Sequence, residues 1–430
     1  MDYLGLFGII FGFAFMTFGV YKNWSILYLS VMTAIIICLF NQVNITTALT
    51  ETYILGFSAF AAPNFILFIE GAIFGKLFDD SGAAWRLGTT VVQKFGSKFA
   101  LIGYMVVALI LNYGGISTFV IFFVLLPLAR PIWRETKTPW YLWPAITLTA
   151  LIPGQCILPG GLQIHNIIPT AVLGTKVTAA PLMSIVIFIV FWALCGVYLV
   201  WEIKGAQKVE WKRDSLPPEV AEKGMEEFAT TAPGALISLL PIVVALVSIN
   251  IFNLLPIYGL ALGILVACLC FYKSIPSMPK CLNAGAVNGV QPLIMVAAVV
   301  GIARVVSSTN AFESLRVALV SAGTGSGAVA GLSVIGITNL MSFICGSATG
   351  SVSMTIELFG EMWLNAGLTP DWIHRTVSVA AAGLDSMPWN SAIVLLIGLA
   401  GLDHKRAYPS LFVITVVFTI LVSFVALPFI

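Results

Sequence analysis

The sequence predicts an all-α polytopic membrane protein made of two inverted repeats, each with a re-entrant hairpin and a broken transmembrane helix, in about 10–12 membrane segments. Three observations carry this prediction. The composition suits a lipid bilayer, the second half of the chain repeats the first, and the basic residues gather on one side of the predicted membrane layout. Together they indicate a chain that folds inside the membrane and keeps interrupted helices there.

The composition places the chain in membrane lipid. Hydrophobic residues make up 59% of the sequence and charged residues 9%, whereas soluble proteins carry roughly 25% charged residues. The net charge is +2, and the basic residues are scattered at segment ends, which argues against a nucleic-acid partner. The seven cysteines lie mostly in apolar runs without the spacing of a metal site, so we expect free thiols, no metal and no cofactor.

The internal repeat has a shift of about 228 residues. Matching segments begin at Gly75 and at Ala303, 228 positions apart, and in both an apolar run ends in a cation and a short polar cluster. A glycine and a proline interrupt an apolar stretch at 154–159, and the same pair interrupts another at 383–388, 229 positions later. Several ordered matches of this kind are typical of transporters with internal repeats.

The order of segments predicts four regions. They are N-terminal transmembrane helices over 1–51, repeat 1 over 52–203, a cytoplasmic linker over 204–231, and repeat 2 over 232–430. A membrane span needs about 20 apolar residues. Runs of this kind fall near 3–20, 25–40, 52–75, 178–202, 232–252, 257–272, 285–303 and 408–430.

Four other apolar stretches are interrupted by glycine, proline and hydroxyl residues. We predict re-entrant hairpins near 99–129 and 327–365, and broken helices near 140–175 and 372–400. The segments 83–95 and 311–321 read as amphipathic helices that precede the hairpins. Backbone in lipid must be hydrogen-bonded within its own segment, so interruptions are tolerated only where they line a cavity. Four interruptions in two matched pairs therefore predict one cavity.

The lysines and arginines fit this layout. If the linker is cytoplasmic and each hairpin enters and leaves on one side, 17 of the 21 cations fall inside, as the positive-inside rule requires. The four expected outside are Lys176, Arg304, Arg316 and Arg375. The same layout gives the two repeats opposite orientations.

The predicted cavity suits an anion. Half-helices that begin at the breaks would point their N–H groups and positive dipole ends into it. No lysine or arginine lies in any break, so a carboxylate would be held by helix ends, hydroxyls and amides. The predicted substrate-binding residues are Asn112, Gly114, Gly115, Ser117, Thr118, His165, Asn166, Gly346, Ser347, Thr349, Ser351, Pro388 and Asn390. The alternatives are close helix packing for the glycines and back-bonding to helix carbonyls for the hydroxyls.

Ionisable groups inside the membrane are costly unless they are paired or functional. Asp385 lies in the second broken helix and is the first candidate to take up a proton or a cation; its alternative role is to cap the half-helix after Pro388. Glu70 and Glu357 are the other ion-coupling candidates, and His165 is a candidate proton relay. We predict no catalytic residues.

Five segments, at 75–84, 124–128, 169–171, 387–392 and 398–408, resemble those of a known family. The first carries Gly-Lys-Leu-Phe-Asp-Asp-Ser-Gly-Ala-Ala, the second ends in Pro-Leu and the third reads Pro-Thr-Ala. These three are similar to the gluconate permease family of the ion transporter superfamily. The last two resemble its 3-hydroxybutyrate permease-like branch.

The resemblance implies proton-coupled uptake of gluconate, hydroxy acids or related short carboxylates, in the inner (cytoplasmic) membrane of a bacterium. It also implies a homodimer and an elevator motion of the part that carries the hairpins. The chain departs from the family pattern in the first hairpin, where 114–119 lacks an acidic residue, and at Trp389, where the family has histidine. A bulkier, less polar site would favour a small or apolar carboxylate.

We therefore expect a secondary active transporter, not an enzyme, that imports a small organic carboxylate by cation symport through elevator-type alternating access. The substrate would be a hydroxy acid, a gluconate-like acid or a short monocarboxylate, and the coupling ion H⁺ or, alternatively, Na⁺. An intramembrane hydrolase would need a serine elbow with a matched histidine, and a channel would favour rings of identical carbonyls or charges. The sequence shows neither pattern.

Overall fold

The computed structural model describes residues 2–113, 118–161, 163–208, 231–250, 252, 254–322 and 327–430, and these residues form helices and connecting turns. The helices of the first half are α1 (Tyr3–Tyr21), α2 (Ile26–Phe40), α3 (Ile45–Asp80), α4 (Ala83–Phe95), α5 (Ser97–Tyr113), α6 (Thr118–Glu135), α7 (Trp143–Ile152), α8 (Ile164–Leu173) and α9 (Pro181–Lys208). Those of the second half are α10 (Ala235–Asn250), α11 (Pro256–Phe271), α12 (Met278–Ser307), α13 (Asn310–Ala322), α14 (Ala328–Cys345), α15 (Ala348–Asn365), α16 (Pro370–Ala381), α17 (Ser391–Leu399) and α18 (His404–Phe429).

The predicted spans all form helices, namely α1, α2, α3, α9, α10, α11, α12 and α18. Five of them, α1, α3, α9, α12 and α18, are long and apolar enough to cross a membrane by length and composition. Side-chain caps fix several helix starts: Asp2, Thr369 and Asp403 each accept a hydrogen bond from a backbone N–H of the first turn that follows. The described part of the chain is thus an all-helical membrane protein.

The described helices follow the same order in both halves. Each half has two spans, a long third helix, an amphipathic helix, a pair of hairpin helices, two half-helices and a last span. The helices α1 and α2, which the sequence analysis sets apart from repeat 1, have α10 and α11 as their counterparts in this order. The amphipathic helices α4 and α13 lie where the sequence predicts them.

The two long helices α3 and α12 pack against each other along their length. Their close approach depends on glycine: a Cβ added at Gly289 of α12 would lie 2.7 Å from the carbonyl oxygen of Phe68 in α3. Small residues allow this contact between helices in lipid, where no hydrophobic force drives helices together. The pair borders α6 and α17, which belong to the first hairpin and the second broken helix.

The helices are interrupted near the ends of the hairpins and of the half-helices. The hairpin α14–α15 turns at Gly346, whose φ of 57° suits glycine, and the turn of the hairpin α5–α6 falls on 114–117, outside the described residues. After α7 a π-helical turn at Pro153–Ile157 leads into extended backbone at Leu158 before α8 begins. In the second half, 382–390 separates α16 from α17.

Candidate functional site

Described residues at or next to all four interruptions border one cavity of about 330 Å³, the size of a small-molecule site. The start of α6, the first break, the turn of the second hairpin and the second break each contribute to its wall. The lining residues are Thr118, Phe119, Leu148, Ile152, Gln155, Gln163, Ile164, His165, Ser347, Ala348, Thr349, Ala382, Asp385, Ser386, Asn390, Ser391, Ala392 and Ile393. We call this the central cavity.

The predicted site residues divide into three groups. Those that line the central cavity are Thr118, His165, Ser347, Thr349, Asp385 and Asn390. Those that lie elsewhere are Asn112, Asn166, Gly346, Ser351, Pro388, Glu70 and Glu357. Gly114, Gly115 and Ser117 lie outside the described residues. Glu357 is exposed and Glu70 is half-buried on α3, so Asp385 is the ion-coupling candidate that borders the cavity.

Asp385 lies close to the start of α15, the second helix of the second hairpin. Its carboxylate accepts a hydrogen bond from the Ser386 hydroxyl at 2.8 Å and lies near the backbone N–H of Ala348. A carboxylate is favourable at a helix N-terminus because it faces the positive end of the helix dipole. The alternative role of Asp385, as the cap of the half-helix after Pro388, is wrong, because Asn390 caps that half-helix.

Asn390 is the residue that caps that half-helix. Its Oδ1 accepts hydrogen bonds from the backbone N–H groups of Ala392 and Ile393 at 2.8 and 3.1 Å. Its Nδ2 donates to the carbonyl oxygen of Gly346 at 3.1 Å. One amide therefore starts α17 and ties the second break to the turn of the second hairpin.

The helix starts at the cavity are thus partly occupied by the protein's own side chains. Besides the bonds to Asn390, the Ser347 hydroxyl accepts from the N–H of Gly350 at 3.4 Å. By contrast, α8 begins without a side-chain cap. The prediction that every half-helix offers free N–H groups to an anion is therefore wrong for the capped groups of α15 and α17.

His165 connects three of the elements around the cavity. Its Nε2 lies 3.1 Å from the Thr349 hydroxyl of the second hairpin and 3.3 Å from Nε2 of Gln155 in the first break. Its carbonyl oxygen accepts from the Ser378 hydroxyl of α16 at 3.0 Å. With the Gln155 amide in this orientation, Nε2 accepts and a neutral ring carries its proton on Nδ1. That Nδ1 is buried, with no hydrogen-bond partner among the described residues.

Sequence reasoning missed two amide side chains of the central cavity. Gln155 and Gln163 both line it, and Gln163 donates from Nε2 to the carbonyl oxygen of Asn112 at 2.7 Å. Their position within the predicted break was the available signal. Asn112 itself spans the first hairpin, since its Nδ2 donates to the Thr118 hydroxyl at 3.3 Å. Asn112 thus supports a lining residue.

The first break is held by Arg375, which the charge count had assigned to the outside. Its side chain is fully buried, and its guanidinium donates to four backbone carbonyls of the first half at 3.1 to 3.5 Å. The acceptors are Cys156, Leu158, Val177 and Ala179. Arg375 is therefore no loop cation, and it satisfies backbone that has left the helix.

Two further histidines also hold the breaks. Nε2 of His374 lies 2.9 Å from Oδ1 of Asn166, and its Nδ1 lies 2.7 Å from the Thr175 hydroxyl. Nε2 of His404 lies 2.9 Å from the carbonyl oxygen of Pro388. Asn166 and Pro388 are therefore held behind the cavity wall by their own partners in the fold.

Two further residues have packing roles. Ser351 donates to the carbonyl oxygen of Thr338 at 3.1 Å, which joins the two helices of the second hairpin. Trp389 stacks on Phe13 with ring centroids 4.8 Å apart and meets Phe343 edge-on at 5.2 Å. It is absent from the cavity lining, so the expectation that it makes the site bulkier and less polar is wrong.

The described wall of the central cavity contains one acid, Asp385, and no lysine or arginine. The other polar groups are hydroxyls, amides and one imidazole. Such a wall can hydrogen-bond a small polar ligand without a fixed counter-charge for an anion.

Two family models match the chain. One is described as GntP family permease and matches residues 9–262. The other is described as the Na⁺/H⁺ antiporter family and matches residues 185–429. Neither match singles out a 3-hydroxybutyrate permease-like branch.

Individual relatives are also similar over most of the chain. YxjC, an uncharacterized transporter of Bacillus subtilis, is 25% identical, with 96% of each chain covered. An uncharacterized transporter of Haemophilus influenzae is 24% identical, covering 78% of this chain and 77% of its own. The crystal structure of the Alcanivorax borkumensis YdaH transporter, described as having an unusual topology, covers 87% of both chains at 14% identity, with a TM-score of 0.44.

Proposed function

The chain belongs to the GntP family of permeases, a family of membrane transporters, and from that membership we propose that it imports a small organic carboxylate by symport with H⁺. Its apolar helices make it a multi-pass membrane protein. Transport requires no catalytic residue, and we propose none. We further propose that it works in the bacterial inner membrane as a homodimer, through elevator-type alternating access.

The observation that carries this proposal is the lone acid in the central cavity. If a carboxylate substrate bound there while Asp385 was ionised, two like charges about 6 Å apart would repel each other by about 3 kcal/mol at the effective dielectric constant of a protein site. That penalty is about a hundredfold in affinity. Protonation of Asp385 removes the repulsion, so proton binding and substrate binding favour each other. This mutual dependence is what symport requires.

The remaining wall would orient the substrate. The hydroxyls of Thr118 and Thr349 and the amide of Gln155 border the same space and can donate to a carboxylate. Each neutral hydrogen bond contributes about 0.5–1.5 kcal/mol, and one to a charged group about 1.5–3 kcal/mol. A site that relies on a few such bonds holds its ligand loosely enough to release it, as a transporter must.

Na⁺ is the alternative coupling ion. The match to the Na⁺/H⁺ antiporter family covers residues 185–429 and so includes Asp385. A carboxylate surrounded by hydroxyl and amide oxygens offers the oxygen ligands that hard cations prefer. Na⁺ bound at Asp385 would remove the same repulsion as a proton.

The test is uptake into proteoliposomes that contain the purified full-length protein. Labelled acetate, 3-hydroxybutyrate and gluconate would be offered under an imposed H⁺ gradient or an imposed Na⁺ gradient, with protein-free vesicles as the control. We expect saturable uptake of at least one carboxylate under the H⁺ gradient alone. Uptake driven only by Na⁺ would support the alternative ion, whereas no uptake of any carboxylate under either gradient would contradict the proposed function.

A further inference from the structure

A second cavity of about 730 Å³ lies between the α3–α12 pair and the helices α6 and α17. We call it the lateral cavity. Its lining residues are Leu27, Ala72, Gly75, Lys76, Asp79, Phe123, Leu126, Arg130, Val287, Asn288, Val290, Gln291, Ile294, Met295, Val394, Leu395, Gly398 and Leu399. None of the predicted site residues is among them.

The lateral cavity and the central cavity border the same two helices. On α6 their nearest lining residues are four positions apart, since Phe119 borders the central cavity and Phe123 the lateral one. On α17 they are consecutive, at Ile393 and Val394. The walls of the two cavities therefore come within about 6 Å of each other along α6.

The two cavities differ in charge. The lateral cavity is lined by two cations, Lys76 and Arg130, and by Asp79, whereas the described wall of the central cavity contains no cation. Lys76 pairs with Asp80 at 2.7 Å, and Arg130 pairs with Asp79 through Nη1 at 2.8 Å. Donors remain beyond these pairs, because Nε of Arg130 is buried without a hydrogen-bond partner among the described residues.

The distance along α6 places these cations at a membrane surface. Thr118 begins α6 at the central cavity, and Arg130 follows 12 positions later, which is about 18 Å along a helix. Half the hydrocarbon thickness of a bilayer is about 15 Å. If the central cavity lies near mid-membrane, Arg130 therefore lies at the surface, which the predicted topology makes the cytoplasmic one.

We propose that the lateral cavity is a second anion site, which receives a small carboxylate between Lys76 and Arg130 on its way from the central cavity to the cytoplasm. The identity of this ligand rests on the proposed function. The planar guanidinium of Arg130 carries five N–H donors, so it can donate to a carboxylate while Nη1 keeps Asp79. The exposed amide side chains of Asn288 and Gln291 lie on the facing helix and add further donors.

The test is protection of an introduced cysteine from a neutral thiol reagent in the full-length protein, reconstituted in phosphatidylcholine vesicles. Asn288→Cys reports the lateral cavity and Thr118→Cys the central one, and labelling of the seven native cysteines is subtracted. Acetate, 3-hydroxybutyrate and gluconate are the probes. We expect at least one of them to slow labelling at both positions.

Variants then distinguish a specific anion site at Arg130 from a general effect of positive charge. Arg130→Gln, and also the charge-neutral pair Asp79→Asn with Arg130→Gln, should raise the carboxylate concentration for half-protection of Asn288→Cys at least tenfold and leave Thr118→Cys unchanged. If the first variants fail to fold, Arg130→Lys and Lys76→Gln replace them. These two should have intermediate effects. Lys405→Gln, which removes an exposed cation outside the cavity, should change nothing.

Three results would overturn the proposal. The first is that no carboxylate protects Asn288→Cys. The second is equal protection with and without the Arg130→Gln changes. The third is that phosphatidylglycerol alone blocks labelling, which would assign the site to a lipid headgroup. Failure of the proposed function looks different: Thr118→Cys would then be unprotected by every carboxylate.

Discussion

The carboxylate of Asp385 lies near the backbone N–H of Ala348, so the acid of the second broken helix is next to the first turn of α15 in the second hairpin. A change in the charge of Asp385 therefore changes the electrostatic potential at the turn of that hairpin. This relationship links the proposed coupling ion to an element that closes the central cavity.

Asp385→Asn should uncouple transport from the proton gradient. The amide mimics the protonated acid and its Oδ1 can still accept from Ser386, so substrate binding and counterflow exchange should persist. Accumulation driven by a pH gradient should disappear, because binding no longer requires a proton. Both are measured in proteoliposomes. If the variant concentrates substrate as well as the parent does, Asp385 has only a structural role, and coupling belongs to another group such as His165.

Thr349→Ala should weaken substrate binding without loss of fold. The hydroxyl lines the cavity and lies 3.1 Å from His165, and its loss should cost roughly 0.5–1.5 kcal/mol, or up to about 3 if it donates to the substrate carboxylate. The measurement is a carboxylate titration followed by thermal shift. Thr355→Ala is the matched control, since Thr355 is buried on the same helix outside the cavity lining. Equal affinity in the parent and in Thr349→Ala would remove Thr349 from the site.

Asn390 should show separable effects on stability and on binding. Asn390→Ala loses the cap of α17, which costs about 0.5–2 kcal/mol, and should lower the unfolding temperature. Asn390→Asp keeps an acceptor for Ala392 and Ile393 but places a second carboxylate in the cavity. It should therefore unfold nearer the parent temperature and bind a carboxylate substrate more weakly. If Asn390→Asp binds substrate as tightly as the parent does, the substrate does not approach α17.

Arg375→Lys should destabilise the protein although it keeps the positive charge. One ammonium cannot reproduce a guanidinium fork that donates to four carbonyls, and each unpaired buried carbonyl costs about 1–3 kcal/mol. We expect a lower unfolding temperature in detergent and less folded protein in the membrane. Arg304→Lys, at an exposed position, is the control. An unchanged unfolding temperature would show that the first break holds its shape without Arg375.

The membrane topology can be tested by labelling. Cysteines introduced at Ser215 and Lys280 should react only with reagents that reach the cytoplasm, and one at Asp371 only with reagents outside. The reason is that the inverted-repeat layout requires an odd number of crossings between the two hairpins. Labelling of all three from one side would end that layout.

The positions of the helices could be predicted from the sequence because apolar length and interruption are local properties of the chain. The cavity could be predicted too, since interrupted backbone in lipid must border polar space. The contacts that hold the breaks could not. His374 and Asn166 are 208 positions apart, and Arg375 and Cys156 are 219 apart, so no periodicity connects them.

The capping role of Asn390 and the packing of Trp389 could not be predicted either, because they depend on side-chain direction. These neighbours in the sequence face different surroundings: Asn390 lines the central cavity, while Trp389 packs against Phe13 and Phe343. Residue type indicates which chemistry is available at a position. The fold decides which space receives it.

The buried Arg375 of α16 joins the two halves of the chain. Arg375 belongs to the second half, yet the carbonyls that it satisfies belong to the first, and Trp140 of the first half donates in turn to the carbonyl oxygen of Ala400. Each half therefore supplies side-chain donors to backbone carbonyls of the other. A half expressed without the other would leave these buried carbonyls without those partners, so we expect neither half to reach its native fold alone.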